Sequence, residues 1–163
     1  MIIAMIFLLL MTLIGTTAMR GSTMQERMSG NSRDWNLAFQ SAEAGLREAE
    51  NFLLTTAVLP DFDGTAGRYQ MNSPLTPVWV GNAPTDGNGF ITYAGPLPGI
   101  TAPPRYYMEE LSSITPAGTE TETGTPLEEI FYFRITVMGF GAALDDFGNP
   151  VASVVLSTVY RSR

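Results

Sequence analysis

Asp61-Phe-Asp63-Gly64 opens like a calcium loop, in which alternating carboxylates and a turn glycine wrap oxygen ligands around a hard cation. Such a loop needs a bidentate glutamate at its twelfth position, and that position here is Asn72. Asp86-Gly-Asn88 and Asp145-Asp146 with Asn149 are other oxygen-rich stretches. All three have the composition of ordinary turns, which is the reading adopted, with Asp61 and Asp63 kept as the only metal candidates. Thr119-Glu-Thr-Glu-Thr123 reads as a solvated loop and Glu128-Glu129 as an exposed pair. The chain holds no His and no Cys, and all nine of its basic residues are Arg. The commonest general base and metal ligand are therefore missing, and no Ser or Thr nucleophile can be paired with a histidine. There is no Gly-rich phosphate loop, no disulfide and no thiolate site. The expectation is a protein without enzymatic activity and without a cofactor.

The elements around these residues carry more information. With a net charge of −7 and a pI near 4.4, the chain has no basic stripe for nucleic acid. Its 163 residues allow one compact domain plus one extended element. Met1 to Met19 carry no charge; the first charged residue is Arg20. As a helix those nineteen residues would span about 28 Å, close to the roughly 30 Å of bilayer hydrocarbon. A secretory signal peptide would show a basic start, a shorter apolar run and a small-residue cleavage site. No basic residue precedes this run, and after the weak Thr17-Ala18 context the helical pattern continues. A plain single-span anchor is the second alternative, and a stem that also assembles is the preferred reading.

From Arg20 to Ala57 there is no proline, and apolar residues recur at Met24, Met28, Trp35, Ala38, Phe39, Ala42, Leu46, Ala49 and Leu53. Steps of mostly three or four make an amphipathic helix. Arg27, Arg33, Asp34, Glu43, Arg47, Glu48 and Glu50 are expected on its polar faces, with Glu43 and Arg47 at i, i+4 in the favourable order. Pro60 closes the element. Apolar run and amphipathic helix together predict one rod of about 57 residues, on the order of 85 Å. Gly15, Gly21, Gly30 and Gly45 interrupt it; Gly15 and Gly21 are the candidates for a hinge or a locally unwound stretch, against the simpler reading of close helix packing. The greasy half of such a rod needs lipid or neighbouring copies. A subunit moving from a bilayer into a helical bundle keeps its apolar face buried in both places.

The remainder is turn-rich and β-forming. Residues 61–99 are dense in Gly, Pro, Asn, Asp and Thr, with short strands possible at Val78-Trp-Val80 and Phe90-Ile-Thr-Tyr93. Arg105 to Leu111 predicts a firmer strand, and Ser112 to Pro126 a polar loop. Ile130 to Met138 and Val151 to Tyr160 mix aromatic and β-branched residues around the turn chemistry of Asp145 to Pro150. These two segments should pair antiparallel and pack on the second half of the stem, with Ile135 and Val137 inward and Arg134 and Thr136 outward. The fold class is therefore α+β: a long N-terminal helix, membrane-spanning in its first part, packed on a small antiparallel head sheet. Three segments follow: 1–19 as the transmembrane or filament-core helix, 20–57 as its amphipathic continuation, and 58–163 as the β-rich head with long loops.

The stretch Ile6-Phe-Leu-Leu-Leu-Met-Thr-Leu-Ile-Gly15, with Gln25-Glu-Arg-Met-Ser-Gly-Asn31 and Ala38-Phe-Gln-Ser-Ala-Glu-Ala44, closely resembles the N-terminal region of PilX-type minor pilins. Pro104 to Leu111, Phe133 to Val137 and Val154 to Arg161 are similar to later parts of the same family, while 61–103 matches nothing familiar. The resemblance implies a helix lying across a sheet of about four strands. It implies an inner-membrane precursor, cleaved by a prepilin peptidase and packed into an extracellular filament through the stem. It implies partners among other minor pilins, and in many cases a tip adhesin above them. If Met1 is the first mature residue, the glutamate that most pilins carry at the fifth position is replaced by Met5; the tip pseudopilin of type II secretion filaments resembles this exception.

Two classes of function are carried forward. The first is a structural subunit that self-assembles through a face including Phe7, Leu10, Met11, Ile14, Met24, Met28, Trp35 and Phe39, either priming the filament at its tip or forming its shaft. For Trp35 and Phe39, packing on the chain's own head is weighed equally. The second is an interaction role, as a tip component or type II secretion pseudopilin that binds other minor pilins, an adhesin or a secretion machine. An unrelated single-pass sensor is the weakest alternative.

Overall fold

The computed structural model describes residues 1–56, 58–73, 79–80, 83–84, 89–111, 113 and 130–162. Helix α1 spans Ile2–Thr55. It is followed by β1 (Arg68–Gln70), β2 (Trp79–Val80), β3 (Ala83–Pro84), β4 (Ile91–Thr92), β5 (Arg105–Glu110), β6 (Phe131–Phe140) and β7 (Ser153–Ser162). By its internal contacts the chain divides into two units, Met1–Asp34 and Trp35–Arg163. The expected Asp86–Asn88 turn, the Thr119–Thr123 loop and the Glu128-Glu129 pair lie outside the described residues, as does nearly all of the loop read at Ser112 to Pro126.

Helix α1 runs without interruption because no proline occurs before Pro60 and its glycines are isolated. Its last turn is finished by Thr56 N–H donating to the Phe52 carbonyl and Thr55 Oγ1 donating to the Asn51 carbonyl at 2.7 Å. Glu43 and Arg47 form the expected pair at 3.4 Å, in an exposed position where such pairs contribute little.

The main sheet has the order β1-β5-β6-β7, with β4 also paired to β5. Strands β6 and β7 form a ten-residue antiparallel ladder from Phe131↔Ser162 to Phe140↔Ser153. Strands β4, β5, β6 and β7 give the antiparallel head sheet that the sequence predicts. The added feature is β1, which runs parallel to β5 with Tyr69 opposite Glu109, so the sheet as a whole is mixed. A separate short ribbon pairs β2 with β3.

Within the second unit, one face of α1 packs on the sheet. Ala42, Ala49 and Leu53 meet Phe62, Tyr106, Met108, Phe133, Ile135 and Val137, with Leu156 and Tyr160 half-buried at the margin. Phe62 and Phe133 stack with ring centroids 5.3 Å apart. Each fully buried large side chain here contributes about 1.5–3 kcal/mol, the main force holding the head together. The small helix residues set the approach: a Cβ on Gly45 would lie 2.9 Å from Val137 Cγ1, and one on Gly139 would overlap the Ala38 carbonyl and the Ala42 amide.

Two placements differ from the sequence expectation. Thr136, expected to face out, is buried, because from Ile135 to Phe140 β6 is covered on both faces. Asp34, expected on a polar face, is buried as well, since it shares the helix face of Ala38 and Ser41, four and seven residues on.

Candidate functional site

In the unit Met1–Asp34 every residue through Arg33 is exposed. Thirteen large apolar side chains between Met1 and Met19 are among them. Left in water they would forfeit on the order of 20–40 kcal/mol of burial, more than a whole domain's net stability of about 5–15 kcal/mol. This segment is long and apolar enough to cross a membrane. A helix that is apolar all round requires lipid or other helices.

The polar atoms in the segment fit that requirement. Thr12 Oγ1 donates to the Leu9 carbonyl at 2.9 Å, Thr16 to Leu13 at 3.0 Å, and Thr17 to Leu13 at 2.8 Å. Thr23 does the same to Arg20 at 3.0 Å. These threonine donors are satisfied inside the helix, as entry into hydrocarbon requires.

Phe7, Leu10, Met11 and Ile14 stand at i, i+3, i+4 and i+7 and share one face; Met24 and Met28 stand one turn apart. All six are exposed. In the second unit Trp35 and Phe39 are also one turn apart, and they remain 49% and 44% exposed while Ala38 and Ala42 beside them are buried. About half of each of these two residues is thus open in the isolated chain. Gly15 and Gly21 lie inside continuous helix, with nothing within 4 Å of where a Cβ would stand.

Two family models cover the chain. The PilX N-terminal model matches residues 1–47, and the model of the C-terminal part of type IV pilus assembly protein PilX matches 55–162. The chain belongs to the PilX family of type IV pilus assembly proteins. No curated protein and no solved structure matches it. The PilX membership accounts for the architecture of a long apolar N-terminal helix followed by a small sheet, and makes that helix a candidate membrane anchor.

The PilX-family head holds the metal candidates Asp61 and Asp63. Asp63 Oδ1 accepts from the Thr65 amide at 3.0 Å and the Thr65 hydroxyl at 2.6 Å, and these bonds hold its carboxyl below the usual aspartate range. Asp61 and Asp63 line a groove of about 430 Å³ with Leu59, Phe62, Gln70 and Glu110. Among the described residues no three His, Cys, Asp or Glu side chains converge as a metal site would require.

Other polar contacts brace the PilX head, and sequence reasoning did not find them. Tyr106 donates its hydroxyl to Glu48 Oε1 at 3.1 Å, tying β5 to α1. Arg134 reaches the nearly buried Glu109 at 3.6 Å across β5 and β6, which are register partners. The Arg105 guanidinium sits 4.7 Å over the Phe90 ring, and Tyr69 donates to the Gly89 carbonyl at 2.8 Å. All join residues distant in sequence, and only the tertiary fold brings them together.

Proposed function

We propose that this PilX-family chain is a non-catalytic structural subunit that leaves the inner membrane and enters an extracellular type IV pilus through α1. Its place in the assembly is at or near the tip, where it meets other minor pilins and helps to start polymerisation. The observation that supports this most is the segment Met1–Arg33, exposed on every face, apolar through Met19, and with its threonine hydroxyls closed onto the helix. Such a surface suits lipid first and neighbouring stems afterwards, with little net change in hydrophobic energy between them. The stem residues Phe7, Leu10, Met11, Ile14, Met24, Met28, Trp35 and Phe39 form the contact face in this reading. A chain without His or Cys, lacking the usual general base and thiolate, is suited to assembly and not to catalysis.

Quantitative mass spectrometry of sheared filaments tests the placement. A few copies per filament, enriched with other minor pilins, is the expected result. Stoichiometry equal to the most abundant subunit would make the chain a shaft pilin, and its absence from filaments would leave it to a secretion pseudopilus.

A further inference from the structure

The turn between β6 and β7 ends in an exposed aromatic ring. Asp145 N–H donates to the Asn149 carbonyl at 2.8 Å, Gly148 N–H donates to the Asp145 carbonyl at 3.0 Å, and Gly148 has φ +81°. This is a three-residue hairpin loop whose last residue must sit in the left-handed region, which glycine enters without strain. Phe147 occupies the apex and is 90% exposed. Leu144 and Val151, on the two arms just below, are exposed as well.

The loop is built to hold its shape. Asp145 Oδ1 accepts from the Phe147 amide at 2.9 Å and the Asn149 amide at 2.7 Å, and Oδ2 accepts from Asn149 Nδ2 at 3.3 Å. Leu144 and Pro150 form a bridge beneath, and Val151 N–H donates to the Ala143 carbonyl at 2.9 Å. An aromatic ring on a preorganised backbone loses little conformational freedom when it docks, which is what distinguishes a binding anchor from a stray surface residue.

Charge selects the occupant. Asp145 and Asp146 precede the ring directly, so whatever receives Phe147 also receives two carboxylates. A phospholipid surface is disfavoured, because the ring cannot enter it without carrying both charges to the headgroups. The groove at Leu59 and Phe62 is disfavoured as the socket in a second copy of this chain. It is lined by Asp61, Asp63 and Glu110, and like charges facing one another oppose docking.

We infer that the Phe147 loop is a docking anchor for a different protein, which presents an apolar socket rimmed by Arg or Lys. The contact belongs to the head and does not depend on what the stem does. It is tested in piliated cells of the native host with the full-length chain carrying the photocrosslinker p-benzoylphenylalanine in place of Phe147. Because the ring is almost wholly exposed, the variant should accumulate normally; the same crosslinker at the exposed Val58 is the control. The expected result is one light-dependent adduct to another protein, mapped to an apolar peptide containing Arg or Lys. Adding Asp146→Arg should lower its yield by about five- to tenfold, as loss of a complementary rim charge does. An independent check is Phe147→Ser, which should release the identified partner on co-purification. Adducts to a second copy or to phospholipid, a yield no greater than at Val58, a socket without basic residues, or indifference to Asp146→Arg would each overturn the inference.

Discussion

Gly139 on β6 faces Ala42 on α1 with no room for a side chain between them: a Cβ at Gly139 would overlap the Ala42 amide and the Ala38 carbonyl. Strand and helix backbones touch there, and neither can yield as a flexible side chain would. Gly139→Ala should therefore destabilise the head by about 3 kcal/mol or more. Gly45→Ala meets side-chain atoms only, a Val137 methyl and the Pro104 ring, and should cost about 1–2 kcal/mol. Gly15→Ala and Gly21→Ala should leave the head unchanged. Chemical unfolding of the full chain in detergent, followed by near-ultraviolet circular dichroism, ranks the four.

Arg134 balances a carboxylate that is almost out of water. Removing it as Arg134→Leu takes away the partner of Glu109, at a cost of about 1–3 kcal/mol, below the roughly 3–5 kcal/mol of fully buried pairs because Arg134 itself is half exposed. The double variant Arg134→Leu, Glu109→Gln should recover most of that loss. A double variant no more stable than Arg134→Leu alone would show that the pair is not coupled.

Burial, and then the neighbouring Glu48 carboxylate, push the Tyr106 phenol well above the usual tyrosine range. The folded head holds a neutral phenol at a pH where the unfolded chain has ionised its own. The stabilisation is thus complete below about pH 10 and declines above it. Tyr106→Phe should cost about 1–2 kcal/mol at neutral pH through the lost bond to Glu48. Its stability should then fall less steeply than the native chain's between pH 10 and 11, measured by urea midpoints.

The amides of Asn149 and Phe147 hold the Asp145 carboxyl below the usual aspartate range. Its contribution to loop order is present above that range and is lost as pH falls through the depressed folded value. The carboxyl carbon of Asp145, followed by nuclear magnetic resonance in micelles, should titrate later on acidification than it does in the urea-unfolded chain. Asp145→Ala should broaden the Phe147 amide at neutral pH.

Much of this architecture is legible in the residue order. The absence of proline from Met1 to Val58 and the charge-free start announce α1, and the β-branched, aromatic runs at Ile130 and Val151 announce the β6–β7 ladder. These signals are local, so periodicity finds them. Strand β1 escapes because Arg68, Tyr69 and Gln70 sit among turn residues and become a strand only through parallel pairing with β5. Asp34 and Thr136 are misplaced for a related reason: burial is decided by tertiary packing, which overrides the polarity of a single residue. Phe147 was hidden inside a turn signal at Asp145 to Pro150, where the pattern marks the bend and says nothing of which side chain crowns it. The stem face from Phe7 to Phe39 was named from spacing alone, and the structure adds that all eight of its side chains are exposed.

Ile14→Arg places a charge within the apolar run of the stem and changes no residue of the head core. A charge at the centre of a spanning helix costs about 2.5–3.5 kcal/mol, which a long arginine partly relieves by reaching toward the headgroups but cannot relieve inside a tight helix bundle. The decisive measurement is the amount of Ile14→Arg chain in sheared surface filaments relative to the amount in the membrane fraction of the same cells. The account predicts membrane levels near those of the native chain, a head that unfolds with native stability, and no detectable variant in filaments. Variant filaments carrying the chain at native stoichiometry would contradict the claim that this helix face drives assembly.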